Sequence, residues 1–543
     1  TLGVKDLTVL GIAAIIGAGI FSTIGNAAYN GGPAVSLLFV FTAIACGFSA
    51  LCYAEFASVI PISGSAYTYS YASFGELIAW IMGWVLIMEY AFGNIAVAIS
   101  WSDYFSGFLG GFGLHIPEFL TTDYFSAYKH YSLSLLHINS GQELETLPYF
   151  LQRGYNAFVN APDIFGIKCI ANIPAFFIVL VITTLVYIGI QQTKRAGHIM
   201  VYIKVGILLM IIIIGALYVN PTNWSPFAPN GITGVLKGVS AVFFAFIGFD
   251  AISTTAEECK NPQKDIPRGM LYALLITTIL YVLTTLVLTG LVHYSELAVG
   301  DPMSFAFERL GLTYLSGIIA FGAIIAMTGV LLVFQVGQPR IWMSMSRDKL
   351  LPKKFSGIHP KYKTPAFATL VTGVVVGIPV LFMNLSEVTD LTSIGTLFAF
   401  ALICGGAIVI RTEKIKQKKK ASFNLPYINS RYIFIGIWIA GIIAVFAYAD
   451  LANIWSVLSE TNNVIFFITF TIISIFSVRY QWTLIPVIGL LFNIYLISRL
   501  DILTWKRFAL WLLIGICIYV CYKLYRHYIR RDAKNDFEND SFC

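Results

Sequence analysis

Fourteen apolar runs, each long enough to cross a bilayer, follow one another along this chain of 543 residues. About 20 consecutive apolar residues span the hydrocarbon core of a membrane. The runs lie at roughly 8–29, 34–59, 77–107, 173–191, 197–219, 232–255, 270–292, 313–338, 365–383, 389–410, 431–449, 463–480, 482–499 and 505–525. Backbone N–H and C=O groups in lipid have no water to bond, and each one left unpaired costs several kcal/mol, so these runs must fold as helices. Composition agrees: 57% of the residues are hydrophobic and 12% charged, against about 25% charged in a soluble domain. The first run has no basic leader and no small-residue cleavage site, and reads as a span of the mature chain. The expected class is an all-α polytopic membrane protein.

Basic residues set the expected orientation. Lys5, Lys194, Arg195, the stretch from Arg340 to Lys363, the stretch from Arg411 to Arg431 and the stretch from Lys523 to Lys534 all fall on one side. Few basic residues, among them Lys129, Arg153, Lys168 and Arg309, fall on the other. The bias places both termini in the cytoplasm, with the plasma (bacterial inner) membrane as the expected location. The net charge of +7 then reflects topology, and no nucleic acid partner is expected. The basic run Lys414 to Lys420 reads mainly as a positive-inside anchor, with regulation by anionic membrane lipid as the lesser alternative. The cysteines and histidines show no metal-ligand or disulfide spacing. No polar cluster of the kind a membrane-embedded enzyme needs is visible, and no metal or organic cofactor is expected.

Two of the runs are interrupted by glycine at matching places. The first reads Ile15-Ile16-Gly17-Ala18-Gly19-Ile20-Phe21, and the sixth reads Phe244-Ala245-Phe246-Ile247-Gly248-Phe249-Asp250. A broken helix in lipid survives where it lines a cavity or binds something, and paired breaks in two halves of a membrane protein point to a substrate site. Because five is odd, segments one to five and six to ten enter from opposite sides, which makes an inverted repeat by parity. The expected units are 1–219 (with an external loop at about 107–172), 232–412, a peripheral set of four helices at 431–526, and a cytoplasmic tail at 527–543, polar enough from Asp532 onward to read as disordered.

The breaks carry complementary chemistry. The N–H groups at Gly17 and Gly19 begin a half-helix whose positive dipole end suits a carboxylate. The carbonyls of Phe244, Ala245 and Ile247 close a half-helix and suit an ammonium. A donor cluster and an acceptor cluster at mid-membrane describe a receptor for a zwitterion, an L-α-amino acid. Glycine pairs also mediate plain helix packing; the matching position of both breaks favours the site.

Charges inside the runs are the other signal. Lys204 interrupts Ile199–Leu209, and a charge at helix centre costs about 2.5–3.5 kcal/mol on insertion scales. Either it snorkels to the cytoplasmic side or it faces the first break and exchanges a proton. Glu89 in the third run relays protons, attracts a cationic side chain or simply satisfies a neighbouring helix. Asp103 lies near the outer interface. Asp250 caps the half-helix after the second break. Glu257 and Glu258 form part of an inner gate or a plain helix end.

Five stretches together resemble the amino acid–polyamine–organocation (APC) superfamily, in its cationic amino acid transporter branch with bacterial-type amino acid permeases. They are Gly11 to Phe21; Cys52-Tyr53-Ala54-Glu55-Phe56 running to Gly64-Ser65-Ala66-Tyr67-Thr68-Tyr69; Phe243 to Ala251 with Glu257-Glu258 and Asn261-Pro262; Gln338-Pro339-Arg340 with Met345 to Pro352; and the surroundings of Lys204. The resemblance implies a five-plus-five inverted-repeat core with broken helices one and six and four further helices. It implies a substrate held by Ile15, Gly17, Ala18, Gly19, Phe244, Ala245 and Ile247, with Phe244 as an occluding gate. It associates a lysine at the position of Lys204 with a proton as coupling ion; the reading of the residues adds Glu89 and Thr328 as coupling residues, with Thr328 contacting Lys204. Ala18 departs from the Ser or Thr of related chains and removes one hydroxyl contact. The expected activity is proton-coupled symport of an amino acid by alternating access; the rival is a proton-independent exchanger or facilitator for amino acids or polyamines. Neutral or cationic specificity and oligomeric state stay open at this point.

Overall fold

A computed structural model describes residues 2–60, 65–189, 194–417, 426–448 and 461–540. The side chains of 59, 65, 164, 167, 194–197, 254–258, 411–417, 441–448, 461–462 and 525–540 lie outside that description, and with them the gate reading of Glu257 and Glu258 and the Lys414–Lys420 anchor.

The first apolar run is split into α1 (Val4–Ile15), a π turn (Gly19–Thr23) and α2 (Ile24–Gly31). Then follow α3 (Val35–Val59), the short α4 (Ser65–Phe74) and α5 (Glu76–Gly110). The long connection after α5 folds into α6 (Tyr124–Asn139), α7 (Tyr149–Asn160) and a hairpin of two-residue strands, Asp163–Ile164 and Ile167–Lys168. The first half closes with α8 (Ile173–Ile188) and α9 (Lys194–Ala216).

The second half opens with α10 (Gly231–Leu236) and α11 (Val239–Phe244), and resumes after the break as a 3₁₀ helix (Phe249–Glu258). It continues with α12 (Pro262–Leu291), the short α13 (Pro302–Arg309), α14 (Thr313–Arg347), α15 (Ala366–Val380) and α16 (Leu385–Gln417). Beyond lie α17 (Ser430–Tyr448), α18 (Thr461–Tyr480), α19 (Leu484–Ser498) and α20 (Ile502–Asp540). Among the described residues, eight helical stretches are long and apolar enough to cross a membrane, and five shorter apolar helices accompany them.

Packing follows the parity of the sequence. Exchanging α1 with α11, α3 with α12, α5 with α14, α8 with α15 and α9 with α16 maps the contact pattern onto itself. α3 packs on α12, α5 on α14 and α8 on α15 across the pseudo-axis. The α1–α12 contact mirrors α3–α11, α1–α9 mirrors α11–α16, and α5–α16 mirrors α9–α14. This is the inverted-repeat core. α5 lies at its centre, with 83% of its most apolar window buried, whereas the corresponding window of α20 is 11% buried and faces lipid. α19 packs on α3 and α16, α20 on α5 and α16, α18 on α19, and α17 on α18.

One expectation fails. The segment from Asp532 is not an irregular tail through its described part, because α20 continues to Asp540. No Gly or Pro lies between 525 and 540 to stop a helix already nucleated by the last span.

Candidate functional site

α1 stops at Ile15, and Ile16 N–H closes it on Ile12 O at 3.0 Å. The backbone resumes at the π turn, where Phe21 N–H reaches Gly17 O at 3.3 Å. α11 stops at Phe244, and tight bonds from Phe246 N–H to Phe243 O (2.9 Å) and from Ile247 N–H to Phe244 O (3.2 Å) carry the chain to Gly248. Gly248 has φ +114°, a region closed to L side chains. The two breaks touch. A Cβ on Gly19 would fall on the Ala245 backbone, and one on Gly248 would lie 2.9 Å from Ala14 O.

A break leaves the last carbonyls of the first half-helix without their N–H partners. At the first break Lys204 supplies the donor. Its Nζ donates to Ala13 O at 2.8 Å and to Ile16 O at 3.0 Å. Lys204 is 1% exposed, so it faces the break and does not snorkel. At the second break the donors are hydroxyls. Thr23 Oγ lies 3.1 Å from Ala241 O and 2.8 Å from Gly19 O. Ser393 Oγ, from α16, donates to Ser240 O at 2.9 Å. Tyr281, from α12, stands between the breaks, its hydroxyl 3.0 Å from Ile15 O and 3.0 Å from Ala245 O. A phenol carries one proton, so it serves one carbonyl at a time. Asp250 accepts the N–H groups of Gly248 and Ala251, which is the expected cap.

Ile15, Gly17, Ala18, Gly19, Phe244, Ala245 and Ile247 are all buried where the breaks meet. The site is therefore closed to both sides in this conformation. Glu89 is buried on α5, beside Thr396 of α16 and near the Asp250 carboxylate. Thr328 is placed elsewhere than expected. Its Oγ accepts from Trp101 Nε1 at 3.0 Å and donates to Ile324 O at 2.8 Å. The α14 residue beside Lys204 is Gly329, where a Cβ would sit 3.7 Å from Nζ. A register of one residue turns a helix by about 100°, enough to carry Thr328 to the Trp101 side. Tyr281, Thr23 and Ser393 were invisible as site residues, because hydroxyl-bearing side chains occur throughout such helices and nothing in their spacing marks which face meets a break.

On the outer side, the long connection after α5 forms a cap. Arg153 of α7 pairs with Asp103 at the end of α5 at 2.9 Å and donates to Thr121 O at 2.9 Å.

Residues 2–478 match the amino acid permease family, and residues 484–527 match the C-terminal portion of that family. The branched-chain amino acid permease BcaP of Bacillus subtilis is 38% identical over 96% of this chain and 92% of its own length. The methylthioribose transporter of the same organism is 42% identical over 84% of this chain and 89% of its own. A vacuolar cationic amino acid transporter 4 of Arabidopsis thaliana is 31% identical over 96% and 91%.

Proposed function

The chain belongs to the amino acid permease family, and on that premise we propose that it imports a neutral L-amino acid together with a proton by alternating access. It is an integral membrane permease and not an enzyme. We place it in the plasma membrane of a bacterium with both termini cytoplasmic, from the one-sided distribution of its basic residues.

The observation that carries the proposal is the Lys204 ammonium on two carbonyls of the broken first helix. While protonated, Lys204 ties the end of α1 to α9. On losing its proton the amine binds those carbonyls more weakly, and α1 is free to move relative to the core. Proton movement is thereby linked to the position of one half-helix at the substrate site. The substrate's carboxylate takes the N–H groups at Gly17, Ala18 and Gly19. Its ammonium takes the carbonyls of Phe244, Ala245 and Ile247. The side chain lies against Ala18, Phe244 and Ile247, whose apolar surfaces favour a neutral residue; branched-chain substrates are named for a relative of 38% identity. Glu89 is buried close to a second carboxyl group, that of Asp250, and we assign it to the proton path more than to a cationic substrate.

The test is a ligand panel in a thermal-shift assay followed by uptake into proteoliposomes. L-leucine, L-valine, L-lysine, putrescine and methylthioribose separate the substrate classes. Uptake of the stabilising ligand should rise when the outside is made acidic. Equal uptake at all outside pH values, with rapid counterflow, would replace symport by exchange.

A further inference from the structure

The outer mouth carries a second constellation, independent of Lys204. Asp103 lies in the last turns of α5, Asp301 precedes α13, and Arg153 comes from the cap helix α7. The two carboxylates are seated reciprocally. A Cβ on Gly107 would lie 2.7 Å from Asp301 Oδ2, and a Cβ on Gly300 would fall on the Asp103 carboxylate. Each acid thus fills the side-chain space of a glycine beside the other. Arg153 bonds Asp103 and, through the same nitrogen, Thr121 O. The segment around α13 lies directly over the outer half of the first broken helix. Tyr104 donates to Phe21 O at 2.6 Å and accepts the Met303 N–H, and Pro302 packs against Gly25 of α2. Outward of this layer is a cavity of about 1490 Å³, lined by Asp103, Arg153, Asp301, Thr121, Glu308 and Phe321 among others.

We propose that Arg153, Asp103 and Asp301 are positioning residues of the outer gate: the arginine of the cap holds the two acids together and thereby fixes α13 over the outer route to the breaks. Opening that route requires α13 to leave the end of α5, and the latch must part first.

The latch is sensitive to outside pH. Burial, then the Asp103 carboxylate, pushes Asp301 up to about 7, with Arg153 opposing and Glu308 adding to the rise. The other titratable groups of this mouth are His115, which lines the same cavity, Glu118, which Arg153 faces, and Tyr149 on α7; Arg309 is held by Glu296. In an open mouth Asp301 would be solvated and return toward about 4. Protonation therefore favours the closed form, and closure weakens as pH rises through about 7. An acidic exterior, the condition that drives the proposed symport, thus also favours the closed mouth, so the latch and the proton gradient act on different steps of the cycle.

The inference rests on the orientation given above, and native Cys169, exposed on the cap side, checks that orientation in the same experiment. Ser22, buried in the π turn just outside the first break, is replaced in the variant Ser22→Cys. Intact cells are treated with a membrane-impermeant cationic methanethiosulfonate, and modification at the S22C site is divided by modification at Cys169, which cancels the intrinsic pH dependence of thiol reactivity. The ratio should rise from about pH 6 to about pH 8. Asp301→Asn, which mimics the neutral acid, should hold it at the low-pH value throughout. Arg153→Gln should raise it roughly fivefold or more, and Arg153→Lys by less. A pH rise that survives in Asp301→Asn overturns the proposal, as does an Arg153→Gln ratio equal to the parent's. If Arg153→Gln does not reach the membrane, the Asp301→Asn profile decides alone. An unreactive Cys169 would overturn the orientation instead, and the same ratios would then be read in inverted vesicles.

Discussion

At the first break the end of the half-helix receives an ammonium; at the second it receives hydroxyls. Ala13 O and Ile16 O are bound by Lys204, while Ala241 O and Ser240 O are bound by Thr23 and Ser393. The two breaks occupy equivalent places in an inverted repeat, so the backbone problem is the same and the solution differs. A hydroxyl keeps its proton at any physiological pH, and its bonds are fixed features of the helix. An ammonium can lose its proton, and then its bonds weaken. The pseudo-symmetric frame thus holds one conditional joint and one permanent joint, and only the first responds to protons.

Replacing Lys204 is the strongest way to break this comparison. Lys204→Ala leaves Ala13 O and Ile16 O buried without donors, at about 1–3 kcal/mol each. Uptake in proteoliposomes should fall to background at every pH, while thermal-shift binding of the substrate is reduced far less. A variant that still shows acid-stimulated uptake would mean that protons enter by another group, with the Glu89–Asp250 pair as the next candidate. The close approach of the breaks ranks second. A Cβ on Gly19 falls on Ala245 backbone, whereas one on Gly17 meets only the Val330 side chain, at 2.9 Å. Gly19→Ala should therefore lower stability by about 1–3 kcal/mol, and Gly17→Ala by less. Melting temperatures of the two purified variants give the order directly.

Much of this arrangement was legible in the residues, for physical reasons. Lipid forbids unpaired backbone, so glycine interruptions in apolar runs at 15–21 and 244–250 had to mean breaks, and the odd number of spans in each half had to mean inversion. Lys204 stood out because a charge in an apolar run needs a partner. Its choice of partner was less legible. Helix phase decides which α14 residue it meets, and the reading was wrong by one position, Gly329 instead of Thr328. Tyr281 was missed because a phenol reads as apolar in a sequence and acts as a donor only where a carbonyl is stranded. The Arg153–Asp103 pair joins residues 50 apart through a cap, and no periodicity carries that information. Asp532 onward was misread because polarity alone does not end a helix.

Tyr281 couples the two joints, since its one proton is shared between Ile15 O and Ala245 O. Tyr281→Phe removes a hydrogen bond from each break in turn and leaves the ring contacts with Phe39 and Phe246 intact. The expected cost is about 1–2 kcal/mol of stability, with a drop in maximal uptake rate and a preserved shape of the pH profile. A shifted profile would place the phenol in the proton path and make the second joint conditional as well.

The smallest effect is expected at the hydroxyls of the second break, and it sharpens the comparison most. Ser393→Ala and Thr23→Val each remove one neutral donor, worth about 0.5–1.5 kcal/mol. Ala241 O keeps the Ala245 N–H as a partner at 3.3 Å, so Thr23→Val falls at the low end of that range. Neither group changes charge in the cycle. Uptake in both variants should therefore retain its full acid stimulation, with melting temperatures lowered slightly. The same measurement made on Lys204→Ala loses the stimulation outright. If Ser393→Ala instead flattens the pH profile, the second half-helix must also move with the proton, and the division into a conditional and a permanent joint fails.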